Sequence, residues 1–444
     1  MAEPMHSSLI SPRKAFSLAW NSALVRNVAL VGSGTAGAQA ITMAFSPVIT
    51  RIYGPEAFGL LGTYMAILTV AIPLAALAYP IAIVLPKDER EALGLVRLSI
   101  ILSFVISIVA CVLLVIGGGW LTTVLETQAI ESYLFLIPLA MLFAAWAQVA
   151  QQWLIRKNEF GIIARTALAH SLIFNCSKAG FGWLYPFGAV LIALATIGHV
   201  LQAALLFFGA KRSYRPAVPD SRQQPKALLR ELFFRYRDFP LYRAPQNFIN
   251  AASQSLPVLM LAAFFGPAAA GFYTIAQMVM GMPAVLVGKA VSDVFYPRIT
   301  EAARNGENLP KHIIRATGAL FAVGFLPFSL VILFGPWLFS VIFGDEWVTA
   351  GEYARWLSVF FFFNFINKPS VAAVPALGIQ RGLLLYEIFS TGGKLIGLLA
   401  GFYLLKSDLW AVALFSLSGA FTYIVMIFWI LYCANLRLRD EKAG

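Results

Sequence analysis

The chain has 444 residues, of which 59% are hydrophobic and 12% charged, with a mean hydropathy of +0.77. Soluble domains carry about a quarter charged residues, so this composition excludes two or three water-soluble domains and leaves a single membrane domain. The net charge of +12 would point to nucleic acid only on a soluble basic face, whereas here the basic residues fall between apolar runs.

Apolar windows of about twenty residues, the length that crosses a bilayer as a helix, recur along the whole chain. The first six predicted spans lie near 28–50, 60–84, 96–118, 132–153, 162–184 and 187–209. Six more lie near 244–265, 270–294, 314–334, 353–375, 384–405 and 408–432. No short apolar run with a small-residue cleavage site opens the chain, so the first span is expected to remain as its own targeting signal. Twelve spans place both ends on one side. Segments 1–27, 85–97, 154–165, 210–243, 295–315, 376–383 and 433–444 hold 26 of the 33 Lys and Arg, while the opposite connections hold Arg51, Arg355 and Lys406. The positive-inside rule makes the first side cytoplasmic. The expected fold is therefore all-α, with six-helix lobes over 1–209 and 244–444 joined by a basic linker, 210–243. Within the linker, Leu228, Leu229, Leu232, Phe233 and Tyr236 share one helical face. From about Pro225 onward it is expected either to lie on the anionic inner leaflet or to remain a solvated loop.

An internal repeat supports the two lobes. Gly54-Pro55-Glu56-Ala57-Phe58-Gly59 and Gly266-Pro267-Ala268-Ala269-Ala270-Gly271 both read GPxAxG. Pro47, Pro73 and Pro86 have counterparts in Pro257, Pro283 and Pro297, so that with the GPxAxG pair the offsets run from 210 to 212 residues. With six spans each, the two copies insert in the same direction and form a parallel repeat, an arrangement found in transporters. Proline recurs inside spans, also at Pro138, Pro327 and Pro369, where each removes a backbone donor and favours a kink.

The chemistry-bearing patterns are few. Gly32-Ser33-Gly34-Thr35-Ala36-Gly37 fits GxGxxG, but no strand precedes it and the helix continues, so its small residues are expected to let helices approach closely. Gly393, Gly397 and Gly401 predict a similar packing face. The four histidines, His6, His170, His199 and His312, lack metal spacing, and no HExxH, GxSxG or Walker A pattern occurs. Cys111, Cys176 and Cys433 are far apart and form no CxxC pair, and the acidic residues that stand inside the spans, away from their outer ends, are Asp293 and Glu387. No catalytic or metal constellation follows.

Positive charge inside the bilayer is the informative feature. Lys178, Lys289, Lys368 and Lys394 all fall within predicted spans. A lysine at a helix centre costs about 2.5–3.5 kcal/mol on insertion scales. Lys394 lies about 15 Å from either end of its span and is too deep to snorkel easily. Lys368 and Lys178 are nearer an end, where snorkelling competes with a role in a pathway. Lys289 stands four residues before Asp293, a spacing that suits an ion pair along one helix. In the seventh span Gln246, Asn247, Asn250 and Gln254 form a polar stripe that must face another helix or a wet interior. Lysines and amides together predict a cationic, hydrogen-bonding cavity suited to an anion.

Six stretches then carry a resemblance that covers nearly the whole chain. They are SPVITRIYGPEAFGLLGTYMAI from Ser46, IAIVLPKDEREA from Ile81, QWLIRKNEF from Gln152, FPLYRAPQNFINAASQSLPVLMLAAFFGPAAAGFYTIA from Phe239, GKAVSDVFYPRITEA from Gly288 and FGDEWVTAGEYARWLS from Phe343. In this order they resemble bacterial polysaccharide flippases of the Wzx type, in the superfamily that also holds the multidrug and toxin extruders. The resemblance implies a non-enzymatic inner-membrane transporter with twelve spans in two lobes around a central cavity. Its cargo would be a polyprenyl-diphosphate-linked oligosaccharide, moved to the periplasmic leaflet by alternating access for O-antigen, capsule or exopolysaccharide synthesis. It also implies no cofactor, coupling to a proton or sodium gradient, and contact with membrane lipids and other polysaccharide-assembly proteins rather than nucleic acid. Two alternatives stand beside it. An extruder of the same superfamily would want buried acids for cationic cargo, and a polysaccharide polymerase or ligase would want a large outer loop.

Overall fold

The computed structural model describes residues 23–124, 128–213 and 229–443, and every regular element in them is helical. Twelve long helices match the predicted spans in order. The first lobe consists of α1 (Ala23–Ile52), α2 (Pro55–Ala75), α3 (Glu89–Val124), α4 (Leu136–Arg156), α5 (Phe160–Leu184) and α6 (Gly188–Ser213). The second consists of α7 (Ala244–Phe265), α8 (Pro267–Arg304), α9 (Leu309–Phe343), α10 (Val348–Ile366), α11 (Gln380–Tyr403) and α12 (Asp408–Ala443).

Among the described residues eight of these, α7 and α10 together with the short helices that adjoin them, are long and apolar enough to cross a membrane. The other four, α1, α4, α5 and α11, dilute their apolar character with interior groups: Gln39 on α1, Gln148, Gln151 and Gln152 on α4, Asn175 and Lys178 on α5, and Lys394 on α11. Such helices are stable in lipid because neighbours cover their polar faces. The second span, predicted to 84, stops at Ala75 and yields only a short helix, Tyr79–Ala82, after Leu77 and Ala78 at positive φ, and the tenth also departs from its predicted continuous form. Its helix stops at Ile366 and resumes as Lys368–Leu377, with Pro369 in the new first turn. A proline there removes a backbone donor and disfavours helical geometry in the residue before it.

Helix packing repeats between lobes as the sequence repeat requires. The pairs α2–α4, α3–α4, α4–α6 and α5–α6 recur as α8–α10, α9–α10, α10–α12 and α11–α12. The third helix of each lobe, α3 or α9, turns a row of large apolar side chains outward, including Val115, Ile116, Leu326 and Leu333. Close approach replaces the hydrophobic effect as the cohesive device inside the bilayer. A Cβ at Gly34 would stand 2.5 Å from that of Ala164 on α5, and one at Gly37 2.7 Å from Leu168. The GxGxxG stretch thus forms part of the α1–α5 contact, which continues through Ala38 and Thr42 to Ser171 and Asn175. On α11, Gly397 and Gly401 meet α12 at Leu414 and Ala411, but Gly393 has open space before it and is not part of that packing face.

Pro225, Leu228 and the rest of 214–228 lie outside the described residues. Beyond them, a short helix, Leu229–Arg235, buries Leu232 where a side chain on Gly94 of α3 would otherwise stand. Phe233 sits 5.6 Å from the Tyr79 ring, and Arg235 and Tyr236 both bond Glu91. The apolar face expected to lie on the leaflet is therefore turned largely onto α3 and its approach, because Gly94 leaves a socket for Leu232.

The lobes meet chiefly where α2 packs along α7 and α8. Gly59 of the first GPxAxG copy faces the carbonyl oxygen of Pro267 in the second, and Gly271 of the second faces that of Pro55 in the first. A Cβ at either glycine would overlap the opposing backbone. Gly266 has φ +86°, a conformation that favours glycine, whereas Gly54 is extended. Trp347 lies between the copies, edge-on to Phe58 at 5.3 Å and Phe272 at 6.1 Å. Its Nε1 donates to the Thr50 carbonyl at 3.1 Å, Thr50 Oγ1 donates to Phe343 at 3.4 Å, and Arg51 donates to Val341 at 2.7 Å. Among the described residues, all hydrogen bonds between lobes lie at this end.

Candidate functional site

A cavity of about 610 Å³ opens within the second lobe and against α1. Each lining helix contributes polar groups by its register. α7 presents Asn250 and Gln254 one turn apart, with Gln254 Nε2 donating to Asn250 Oδ1 at 2.5 Å. α11 presents Glu387, Thr391 and Lys394, and the helix after the α10 break begins with Lys368. The break therefore places a cation at a helix start inside the cavity instead of along a continuous span. α1 adds Gln39 from the other lobe, and α8 adds Gln277. Asn364 donates to the Tyr423 hydroxyl at 2.6 Å, which fixes two further polar groups of the wall.

Both lysines are held by their stems. Lys394 runs past Gly419, and its Nζ lies 6.0 Å from the centre of the Phe360 ring. The side chain of Lys368 crosses the space in front of Gly288. Neither forms a salt bridge among the described residues. Among the described residues Glu387 is the one carboxylate of the lining, beside the two lysines. Aromatic faces from Phe360, Phe361, Phe415 and Tyr423 complete a wall able to hold sugar rings or other flat, partly apolar groups.

The structure thus brings together Lys368, Lys394, Asn250 and Gln254 of the predicted residues. Gln246 accepts a hydrogen bond from Arg243 at 3.0 Å, and neither Gln246 nor Asn247 lines the cavity, because α7 begins at Ala244 and both sit in its first turn. Lys178 lies in the other lobe, in a separate small cavity. The Lys289 side chain lies outside the described residues. Gln39, Gln277, Asn364 and Tyr423 were not among the predicted residues; Asn364 stands about one helical turn before Lys368, a spacing that could have found it, whereas only helix rotation brings the uncharged Gln39, Gln277 and Tyr423 to the wall.

The paired stretches of sequence also meet in space. Arg156 of QWLIRKNEF donates to the carbonyls of Ile83, Pro86, Lys87 and Asp88 in the stretch IAIVLPKDEREA, and Lys157 pairs with Glu89 at 2.7 Å. In the second lobe Arg298 pairs with Glu307 at 2.7 Å, and His312 bonds the same carboxylate.

The whole arrangement superposes on an inward-facing multidrug resistance MATE family transporter of the MOP superfamily with a TM-score of 0.71 at 16% identity, covering 91% of this chain and 96% of that one. It superposes on the lipid II flippase MurJ, in an inward closed conformation, with a TM-score of 0.67 at 15% identity, covering 91% and 87%. The succinoglycan biosynthesis transport protein ExoT of Rhizobium meliloti (strain 1021) is 23% identical over 406 residues, 87% of this chain and 76% of that protein. These folds are those of multi-pass membrane transporters, not enzymes, and residues 48–352 match the family model described as polysaccharide biosynthesis protein, so the chain belongs to that family.

Proposed function

We propose that the protein is a flippase for polyprenyl-diphosphate-linked oligosaccharide, moving it from the cytoplasmic to the periplasmic leaflet of the bacterial inner membrane. The observation that carries this reading is the convergence of Lys368 and Lys394 with amides and aromatic faces in one cavity of about 610 Å³. That volume lies within the roughly 300–1,000 Å³ of small-ligand sites. Lys368 and Lys394 bind the diphosphate as point charges, while Asn250, Gln254, Gln277 and Gln39 bond sugar hydroxyls. The lipid tail stays in the bilayer. The excess of Lys and Arg in alternate connections puts both ends, with the Arg156 and Arg298 clusters, on the cytoplasmic side and the GPxAxG seam on the periplasmic side.

Alternating access then consists of opening the GPxAxG end while the opposite end closes about the cavity. The domain division at 209 and 244, a role for polysaccharide-assembly partners and coupling to a proton or sodium gradient belong to the same proposal. Glu387 favours one second reading, an extruder of cationic compounds, since it supplies the carboxylate that such cargo needs.

The test is transport of lipid-linked repeat units to the periplasmic leaflet in cells lacking their own flippase, across several glycan backgrounds. Restoration by the parent and loss in Lys368→Ala and Lys394→Ala at matched expression supports the flippase. Failure in every background, together with Glu387-dependent resistance to cationic drugs, establishes the extruder.

A further inference from the structure

A second cavity, of about 170 Å³, lies in the first lobe among α2, α5 and α6, and it shares no lining residue with the large one. Leu61 and Met65 of α2 and Ala195 of α6 form its apolar wall. Its other wall holds Lys178, His170, His199 and Gln202, with no carboxylate. This is a concentration of basic groups at membrane depth in a lobe whose sequence showed no motif for them.

The geometry orders these groups about a single ring. Phe174 carries Lys178 Nζ on its face at 4.2 Å from the centre and stacks against His170, with centres 5.4 Å apart and planes 16° from parallel. His170 Nε2 lies 3.0 Å from the Gly198 carbonyl. A carbonyl only accepts, so Nε2 carries the proton and Nδ1 is left free to change its own state. Tyr53 donates to the Lys178 carbonyl at 3.2 Å, and Tyr64 is engaged with Thr196, so neither hydroxyl serves as a counter-ion. Among the described residues Lys178 has no acidic partner. An aromatic face offsets only part of the cost of a desolvated ammonium, and the remainder is met by an anion or by water.

We propose that this cavity binds a small inorganic anion of chloride size, held by Lys178 with His199 donating to it, and by His170 through Nδ1–H when its imidazole is protonated. Its volume admits such an ion with a few waters, each of which occupies roughly 30 Å³ in the liquid, and excludes an oligosaccharide. The apolar wall favours a weakly hydrated monovalent ion over a strongly hydrated oxyanion. The site is independent of the cargo proposed for the large cavity.

The experiment is equilibrium binding of radioactive chloride to the purified full chain in lipid nanodiscs, in gluconate buffer, with unlabelled bromide or phosphate as competitor. Saturable binding displaced by bromide is expected in the parent and in Lys178→Arg, with at least a tenfold weakening in Lys178→Met and a several-fold weakening in His199→Gln. Lys394→Met should bind as the parent does. If Lys178→Met does not accumulate, His170→Gln combined with His199→Gln serves in its place with the same tenfold expectation. Absence of saturable chloride binding overturns the proposal, as do parental affinity in the Lys178→Met or double-histidine variant, loss confined to Lys394→Met, and displacement by phosphate but not bromide.

Discussion

The two ends of the seam between the lobes are built differently. At the GPxAxG end the lobes touch backbone to backbone, through Gly59 against Pro267 and Gly271 against Pro55, and three hydrogen bonds cross there. At the Arg156 and Arg298 end the ion pairs described stay within a lobe or tie the linker to the first one. A contact between glycines is all or nothing, because packed backbones interlock or separate and do not deform gradually. Ion pairs confined to one lobe keep that lobe rigid without binding it to the other. The contrast describes a protein closed by shape at one end and held in two stiff halves at the other.

The contrast is most easily broken at Gly59. Gly59→Val or Gly271→Val sets a branched side chain against an opposing carbonyl, and overpacking of this kind costs about 1–3 kcal/mol. The ratio of closed to open states at that end should fall by roughly 5- to 150-fold. Cross-linking of Arg51→Cys to Val341→Cys by a bifunctional thiol reagent, in a background without the native cysteines, reads this directly. Undiminished yield in both variants would show that the glycine contact does not hold the end shut.

Trp347 tests the same end by stability. It is buried between Phe58 and Phe272, and Trp347→Ala should lower unfolding stability by about 3–5 kcal/mol in detergent melts. At the opposite end Arg156→Ala removes the fork that gathers four carbonyls, with an expected loss of about 1–3 kcal/mol. Arg156→Lys should recover little of it, since an ammonium cannot reproduce the planar fork. A change in the Arg51–Val341 cross-linking yield in either Arg156 variant would contradict the independence of the two ends.

The smallest effect is expected at Glu307, where the Arg298 guanidinium and then His312 hold the carboxyl well below its ordinary range, at about 2. A depressed carboxylate pKa stabilises the folded protein above the unfolded value. The contribution is therefore complete at neutral pH, declines as pH falls below about 4.5, and is gone near pH 2. Glu307→Gln should flatten the melting temperature against pH within that window and nowhere else. Because the group is partly exposed, added salt should shrink the difference.

Much of this architecture was legible in the residues. Apolar run length gave the twelve helices because the bilayer imposes a length on every span. The proline series and the two GPxAxG copies gave the lobes, and the packing of α2–α4 against that of α8–α10 repeats accordingly. Lys394 was legible as a cavity residue because depth alone makes a lysine costly there. Lys178 was equally visible, but whether it joined Lys394 or stood apart depended on which face of α5 turned toward α6. Asn364 was legible only through its one-turn spacing from Lys368, and Gln39, Gln277 and Tyr423 gave no signal, since uncharged residues among other polar ones in a span do not single themselves out.

Sequence by itself determined what each segment must be, since span length, basic connections and small-residue spacing are local properties under the fixed demand that a helix in lipid satisfy its own backbone. Only the tertiary structure decided what meets what. The break before Lys368, the interlocking of Gly59 with Pro267, and the separation of the Lys178 cavity from that of Lys394 all depend on the rotation and crossing of helices, which are set by packing many residues apart.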